Sequence, residues 1–105
     1  MLTISHPIPT LSLMSIVSGT STNAEGDALY DALSPYVRLG HVVRLSLHGA
    51  TPMATSFLNT SFGQLIDEYG LAAVRASVRL VQFVPSHAQR LKDYLDHYLP
   101  LAAAA

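Results

Sequence analysis

Cysteine is absent from this 105-residue chain, and charged residues make up only 12% of it. Without cysteine the chain has no disulfide, no catalytic thiol and no thiolate ligand for a metal ion. Six Lys and Arg residues stand against seven Asp and Glu, which gives a net charge of −1 without a basic block. The chain therefore lacks the cationic surface that neutralises phosphates, and we expect no nucleic-acid partner.

Long apolar runs are missing as well. No run approaches the roughly 18 residues of a membrane span, and Pro7 and Pro9 interrupt the N-terminal region before it resembles a signal peptide. We therefore expect a soluble, cytoplasmic protein without a membrane partner. Half of the residues are hydrophobic, enough to build the core of a single domain over residues 1–105. Because charge is so scarce, a homo-oligomer formed through apolar surface is an alternative role for part of that surface.

Three runs of apolar residues predict β-strands, over residues 11–18, 41–49 and 77–84. Each run is followed by apolar residues at helical spacing, an alternation that favours a parallel sheet with right-handed crossovers. The second and third strands each have one apolar face and one face carrying Arg or His, so we expect helices mainly on one face. We expect an N-terminal edge strand within residues 1–10, paired antiparallel. The predicted fold is thus a small α/β domain with a mixed sheet of about four strands.

Capping residues set the predicted helix boundaries. Thr22 and Glu25 have the spacing of a capping box, so the first helix should begin near residue 23, and Pro35 should break or kink it. A second capping box, starting at Ser86, should open the last helix. The predicted helix ends are Gly40, Gly70 and Pro100, with residues 101–105 as a frayed tail.

The stretch MATSFLNTSFGQL, residues 53–65, is unusually polar for the start of a helix. Thr55 or Ser56 is suited to cap this helix, and Thr51 followed by proline is a competing cap. These hydroxyls follow a predicted strand, and open α/β sheets place their sites at the carboxyl ends of strands. Phe57 and Phe62 both suit the core, and Phe57, which lies off the main apolar stripe, is the better candidate of the two for an exposed anchor. The predicted partner-binding residues are Thr51, Thr55, Ser56, Phe57 and Asn59. The alternative is a capped helix with an ordinary core stripe.

The same stretch resembles the centre of STAS domains, the fold of anti-sigma factor antagonists. Gly49 stands where those domains have a glycine after the strand, and Ala54-Thr55-Ser56 stands where they have Asp-Ser-Ser. The segment SFLNTSFGQL is even more similar to the STAS-like family of unknown function, whose helix begins with Ser-Phe and continues to Phe-Gly. The similarity runs from Val42 to Leu99, and the residues that carry it are Ser56, Phe57, Phe62 and Gly63.

This resemblance implies a STAS-like fold and a non-catalytic regulatory role. The loop and helix start would bind a partner protein, which for STAS-like proteins is often a histidine-kinase-type ATPase. Ser56 falls on the serine that a partner kinase phosphorylates in STAS domains. Phosphate there would disrupt binding, because it places about two negative charges in a desolvated contact. The resemblance implies no cofactor, and we expect none.

The five histidines do not predict a metal site. His41 and His48 fall on opposite faces of one strand, and His87 and His97 lack the spacing that puts two ligands on one helix face. A serine-dependent hydrolase with Ser56 as nucleophile and His48 as base is the alternative function. Because the sequence has no Gly-x-Ser-x-Gly elbow, we expect a binding module and not an enzyme.

Overall fold

The computed structural model describes residues 8–98 and contains one parallel sheet of three strands in the order β1-β2-β3. The strands are β1 (Thr10–Ser12), β2 (Val43–Ser46) and β3 (Val78–Val81). The α/β class is confirmed, whereas a fourth strand is not. The predicted antiparallel edge strand falls largely on residues 1–7, outside the described residues, and residues 8 and 9 are not in a strand.

Helices make up most of the remaining structure. One continuous helix, here called the central helix, spans residues 55–69 and contains a π-helical segment at Asn59–Gly63. Within residues 8–98, no helix has both the length and the apolar character needed to cross a membrane. The α-helical segments at the two ends of the central helix are α3 (Thr55–Leu58) and α4 (Gln64–Tyr69). The other helices are α1 (Leu13–Ile16), α2 (Asn23–Leu39), α5 (Leu71–Ser77) and α6 (Pro85–His97).

The predicted start and end of α2 are confirmed. The Glu25 backbone N–H donates to the Thr22 hydroxyl at 3.2 Å, and the Thr22 backbone N–H donates to the Glu25 carboxylate at 3.2 Å, which closes the capping box. Gly40 ends the helix in the left-handed conformation, with φ of 70°. Of the break or kink expected at Pro35, the break is wrong, because α2 is continuous to Leu39, and the kink stays a prediction. Pro35 is exposed, so water can replace the hydrogen bond that its ring removes.

The predicted strand over residues 11–18 is wrong after Ser12. Residues Leu13–Ile16 form α1, and Leu13 and Val17 are both buried, 0% and 6% exposed. A spacing of four puts two residues on the same face of a strand as well as of a helix, so the apolar pattern does not distinguish the two here. The helical turn is shown by the Val17 backbone N–H, which donates to the Leu13 carbonyl at 3.0 Å. The helix α5 was not predicted. It occupies most of the interval between the central helix and β3.

The predicted capping box at Ser86 is wrong as well. Helix α6 begins at Pro85, its N-cap is Val84, and no side chain caps its first turn. Proline suits the first helical position because it has no N–H to satisfy, so α6 begins one residue before the predicted cap. The predicted end at Pro100 lies outside the described residues.

The two faces of the sheet differ sharply. Leu11, Leu45 and Leu80 are register partners across the three strands, and this face lies under the helices with Leu45 fully buried. On the other face Arg44 and Arg79 are register partners, and both are exposed. This asymmetry agrees with the alternation in the sequence.

Candidate functional site

The candidate site lies at the carboxyl end of β2, where residues 47–54 connect the sheet to the central helix. The Leu47 backbone N–H still donates to the Val81 carbonyl of β3 at 3.0 Å, and the chain then turns at Gly49, where φ is 76°. The Ala50 N–H donates to the Leu47 carbonyl at 3.0 Å and closes this turn. Thr51 and Pro52 follow as exposed residues, so the loop presents polar groups beside the sheet.

A buried hydroxyl on a second loop fixes this connection. The side chain of Thr20 is 1% exposed, and its hydroxyl oxygen lies 2.7 Å from the Thr51 hydroxyl and 2.9 Å from the Thr51 carbonyl. The Ala54 backbone N–H donates to the Thr20 carbonyl at 2.9 Å. Residues 18–22, here called the bracing loop, therefore hold residues 51–54 against the body of the protein.

The carboxylate of Glu25 organises the bracing loop in turn. It accepts hydrogen bonds from the backbone N–H groups of Ser21 and Thr22, both at 3.2 Å, and from the Ser18 hydroxyl at 3.3 Å. These bonds stabilise the charged carboxylate, and they lower the pKa of Glu25, the Ser21 N–H contributing most. The capping box of α2 thus also shapes the loop that braces the site.

The hydroxyls at the start of the central helix do not cap it. Its N-cap is Ala54, which makes no side-chain bond, so the predicted caps at Thr55, Ser56 and Thr51 are wrong. The Ser56 hydroxyl donates to the Ser21 carbonyl at 3.0 Å, and the Thr55 hydroxyl accepts from Arg90 Nη2 at 3.1 Å. Both hydroxyls form hydrogen bonds with residues that are distant in sequence, and the capping rule considers only neighbouring residues.

Helix α6 holds the other side of the site. Arg90 Nε donates to the Met53 carbonyl at 3.2 Å, and the Tyr94 hydroxyl donates to Asn59 Oδ1 at 2.7 Å. Partial burial raises the pKa of Tyr94, so its hydroxyl remains a hydrogen-bond donor. A shallow depression of about 480 Å³ runs along this seam, and its lining includes Thr55, Arg90 and Tyr94.

Phe57 is not an exposed anchor, because its side chain is fully buried in the core. The other four predicted partner-binding residues remain available in part. Thr51, Thr55 and Asn59 are exposed, and Ser56 is half-buried. Partner binding by these four residues stays a prediction, and Phe57 cannot serve as its exposed aromatic anchor.

The structure does not bring Ser56 and His48 together. The Ser56 hydroxyl is committed to the Ser21 carbonyl, and no hydrogen bond between Ser56 and His48 occurs in the described structure. Residues 8–98 contain no group of three or more His, Asp or Glu side chains placed to hold a metal ion.

Thr20 and Arg90 are the site residues that sequence reasoning missed. Thr20 stands in a turn-rich loop where exposed hydroxyls are the rule, and Arg90 looks like one more charge on a solvated helix face. Neither position carries a local signal, because both act across about thirty residues of chain or more.

The family model for a STAS-like domain of unknown function (DUF4325) matches residues 25–86. The match includes α2, which the resemblance read from the sequence left out, and it ends at the start of α6. Thr51 and the whole central helix lie inside it, whereas Thr20 and Arg90 lie outside. No curated protein and no solved structure shows a significant match to the chain.

Proposed function

The chain belongs to the family of STAS-like domains of unknown function, and on that premise we propose that it is a non-catalytic regulatory module that binds a partner protein. The binding surface is formed by the exposed side chains Thr51, Thr55 and Asn59 at the carboxyl edge of the sheet. The partner class that the STAS resemblance favours is a histidine-kinase-type ATPase.

The observation that supports the proposal is that residues of other elements hold these three exposed side chains in place through hydrogen bonds. Thr51 is held by the buried hydroxyl of Thr20, Thr55 by Arg90 and Asn59 by Tyr94. Exposed polar side chains usually lose conformational entropy when they are ordered in a complex, at about 0.5–1.5 kcal/mol each. Here that ordering is largely complete in the free protein, as expected of a recognition surface.

Ser56 is the proposed switch, and its surroundings give the switch a mechanism. Its hydroxyl donates to the Ser21 carbonyl, next to the Glu25 carboxylate that accepts the Ser21 N–H. A phosphate would replace the donor with acceptor oxygens facing the Ser21 carbonyl, so repulsion would separate the bracing loop from the central helix. Residues 51–54 would then lose the contacts that order them.

A capture experiment tests the partner-binding surface. Asn59→Arg places a large cation in the middle of the surface, and Ala72→Arg is the matched control, a neutral-to-cationic change at an exposed helical position on α5. Each tagged full-length variant and the wild type would capture proteins from the native lysate in the presence of ATP. We expect Asn59→Arg to lose a partner that Ala72→Arg retains. Identical sets of captured proteins would refute the surface.

Mass spectrometry of the protein isolated from its native cells tests the switch. Phosphate on Ser56 and loss of the same partner by Ser56→Glu are the expected results. A wild type isolated with its partner but never phosphorylated at Ser56, under any growth condition tested, would remove the switch and leave the binding surface.

A further inference from the structure

The outer edge of β3 carries both an apolar groove and two exposed hydrophobic side chains, and we propose that it is a self-complementary dimer interface occupied by a second copy of this chain. The proposal uses residues of β3 and α6 other than Thr51, Thr55 and Asn59, so it does not depend on the proposed function. β3 is the last strand in the described sheet, because its only described neighbour is β2.

The backbone of β3 has hydrogen-bonding groups that point outward. The Val81 carbonyl accepts from the Leu47 N–H on the β2 side, at 3.0 Å. Since the N–H and C=O of successive residues in a strand point to alternate sides, Leu80 directs both of its groups to the open edge. Such an edge readily pairs with another strand. The edge of β3 is therefore ready to extend the sheet.

A groove of about 290 Å³ lies beside this edge, on the face of the sheet that the helices cover. Leu80 and Leu95 line it as half-buried side chains, so β3 and α6 leave a gap between them. Its polar rim is formed by Lys92 and by Arg75, which pairs with Asp96. Further lining residues include Phe62, Val74, Val78 and Leu91.

Exposed hydrophobic side chains stand at the carboxyl end of the same strand. Phe83 and Val84 are 46% and 54% exposed, and they are adjacent in the chain. The preceding residue, Gln82, has φ of 51°, which is uncommon outside glycine. The Ser46 hydroxyl donates to the Gln82 side-chain carbonyl at 2.6 Å and holds this turn, which directs the chain at Phe83 away from the core.

An antiparallel pairing of two β3 edges brings these features together across a two-fold axis. When two β3 edges pair antiparallel, the carboxyl end of one strand lies beside the amino end of the other. Phe83 of each copy then reaches the groove beside Val78 of its partner copy. An interface between identical surfaces must carry both the projecting group and its acceptor, and the β3 edge carries both.

Charge gives the interface a distinctive salt response. Arg79 is the only charged residue of β3, and the two copies of Arg79 approach each other on the open face of the sheet. Added salt screens this repulsion and leaves apolar burial intact. Dimerisation should therefore be as strong or stronger at high salt.

Sedimentation of the full chain over a range of concentrations tests the proposal. We expect the mass of the wild type to rise towards twice that of the 11.3 kDa chain. Phe83→Asp should remain at the mass of one chain. The matched control is Leu39→Asp, at a hydrophobic residue that is 60% exposed at the end of α2, and it should dimerise like the wild type. A wild type that stays monomeric, or a dimer that salt dissociates, would overturn the proposal.

Disulfide trapping tests whether a second copy of the chain occupies the groove. Because the chain has no native cysteine, a cross-link can form only between the introduced cysteines. Val84→Cys and Lys92→Cys variants, which keep Phe83, would be mixed and oxidised, with Val84→Cys and Arg38→Cys as the control pair. We expect a cross-linked heterodimer from the first mixture and little from the second. Equal yields of the two cross-linked products would show that Phe83 of a second copy does not lie in the groove. That result would overturn the proposal.

Discussion

The substitution Gly26→Ala tests how closely α2 approaches the central helix. A Cβ at position 26 would lie 1.8 Å from the Thr60 hydroxyl oxygen and 2.5 Å from the Phe57 carbonyl oxygen. The Thr60 side chain can rotate, although it would lose its bond to the Asn23 carbonyl, which measures 3.1 Å. The Phe57 carbonyl belongs to the backbone of the helix and cannot move alone, so the two helices must separate.

The net effect is a competition between two terms. Replacing glycine by alanine inside a helix ordinarily stabilises it by about 1 kcal/mol, whereas overpacking of a filled core costs about 1–3 kcal/mol and a lost hydrogen bond about 1 kcal/mol more. We therefore expect Gly26→Ala to lower the free energy of unfolding by about 1–3 kcal/mol.

Urea denaturation followed by circular dichroism measures this change, and Gly63→Ala is the matched control. A Cβ at Gly63 meets the end of the flexible Tyr94 side chain, whose oxygen lies 2.7 Å away. Its loss of stability should therefore be smaller than that of Gly26→Ala. The double variant Gly26→Ala/Thr60→Ala should not regain wild-type stability, because the Phe57 carbonyl remains in the way. A Gly26→Ala protein as stable as the wild type would refute the reasoning.

Further predictions concern the core, the bracing loop and the sheet. Phe57→Ala should lower the unfolding free energy by about 3–5 kcal/mol in denaturant titrations, as for any fully buried phenylalanine. A loss below about 1 kcal/mol, which is typical of a surface site, would contradict its burial. Because the pKa of Glu25 is lowered on folding, its contribution is present above the ordinary value of 4.5 and is lost as pH falls through the folded-state pKa. The protection factors of the backbone amides of residues 18–22, which correct exchange rates for their intrinsic pH dependence, should fall in that acidic range, and Glu25→Gln should abolish this fall. Because the pKa of Tyr94 is raised, stability should fall as pH rises above 10.0, and Tyr94→Phe should reduce that fall in alkaline melts. Arg79→Thr should raise stability by about 0.2–1 kcal/mol at low salt by removing the repulsion from Arg44, and an equal gain at high salt would exclude a charge effect.

The start of α2 was predictable because its signals are local. Thr22 and Glu25 are close in sequence, and the bonds of a capping box lie within one helical turn, so no information from the rest of the fold is needed. The bracing contact from Thr20 to Thr51 spans thirty-one residues and depends on how the two loops pack. For that reason the sequence indicates a polar edge at Thr51 but not the hydroxyl that fixes it.

The burial of Phe57 shows why a helical stripe can be misread. In a regular α-helix, Phe57 and Phe62 are about 140° apart around the axis, which places Phe57 off the stripe. The π-helical segment Asn59–Gly63 adds a residue to one turn and rotates the preceding part of the helix. Phe57 and Leu58 are both fully buried, four residues before the buried Ser61 and Phe62, so the buried face of the central helix is wider than its apolar stripe. The apolar stripe leaves out Ser61, whose side chain is buried, and it therefore underestimates how far the buried face extends towards Phe57.

The distribution of charge bears on how a phosphate at Ser56 would act. All seven carboxylates lie on α2, α4 and α6. The helices carry four cations, Arg38, Arg75, Arg90 and Lys92, while Arg44 and Arg79 lie on the open face of the sheet. The helical side is therefore acidic before any modification, and a partner suited to it is expected to be neutral or cationic there. Added phosphate would strengthen long-range attraction to such a partner, so a loss of binding must come from local structure. The contact that a phosphate removes is the bond from Ser56 to the Ser21 carbonyl. Ser56→Ala removes the same bond without adding charge, and if the bracing loop transmits the switch, it should weaken partner binding in the same direction as Ser56→Glu.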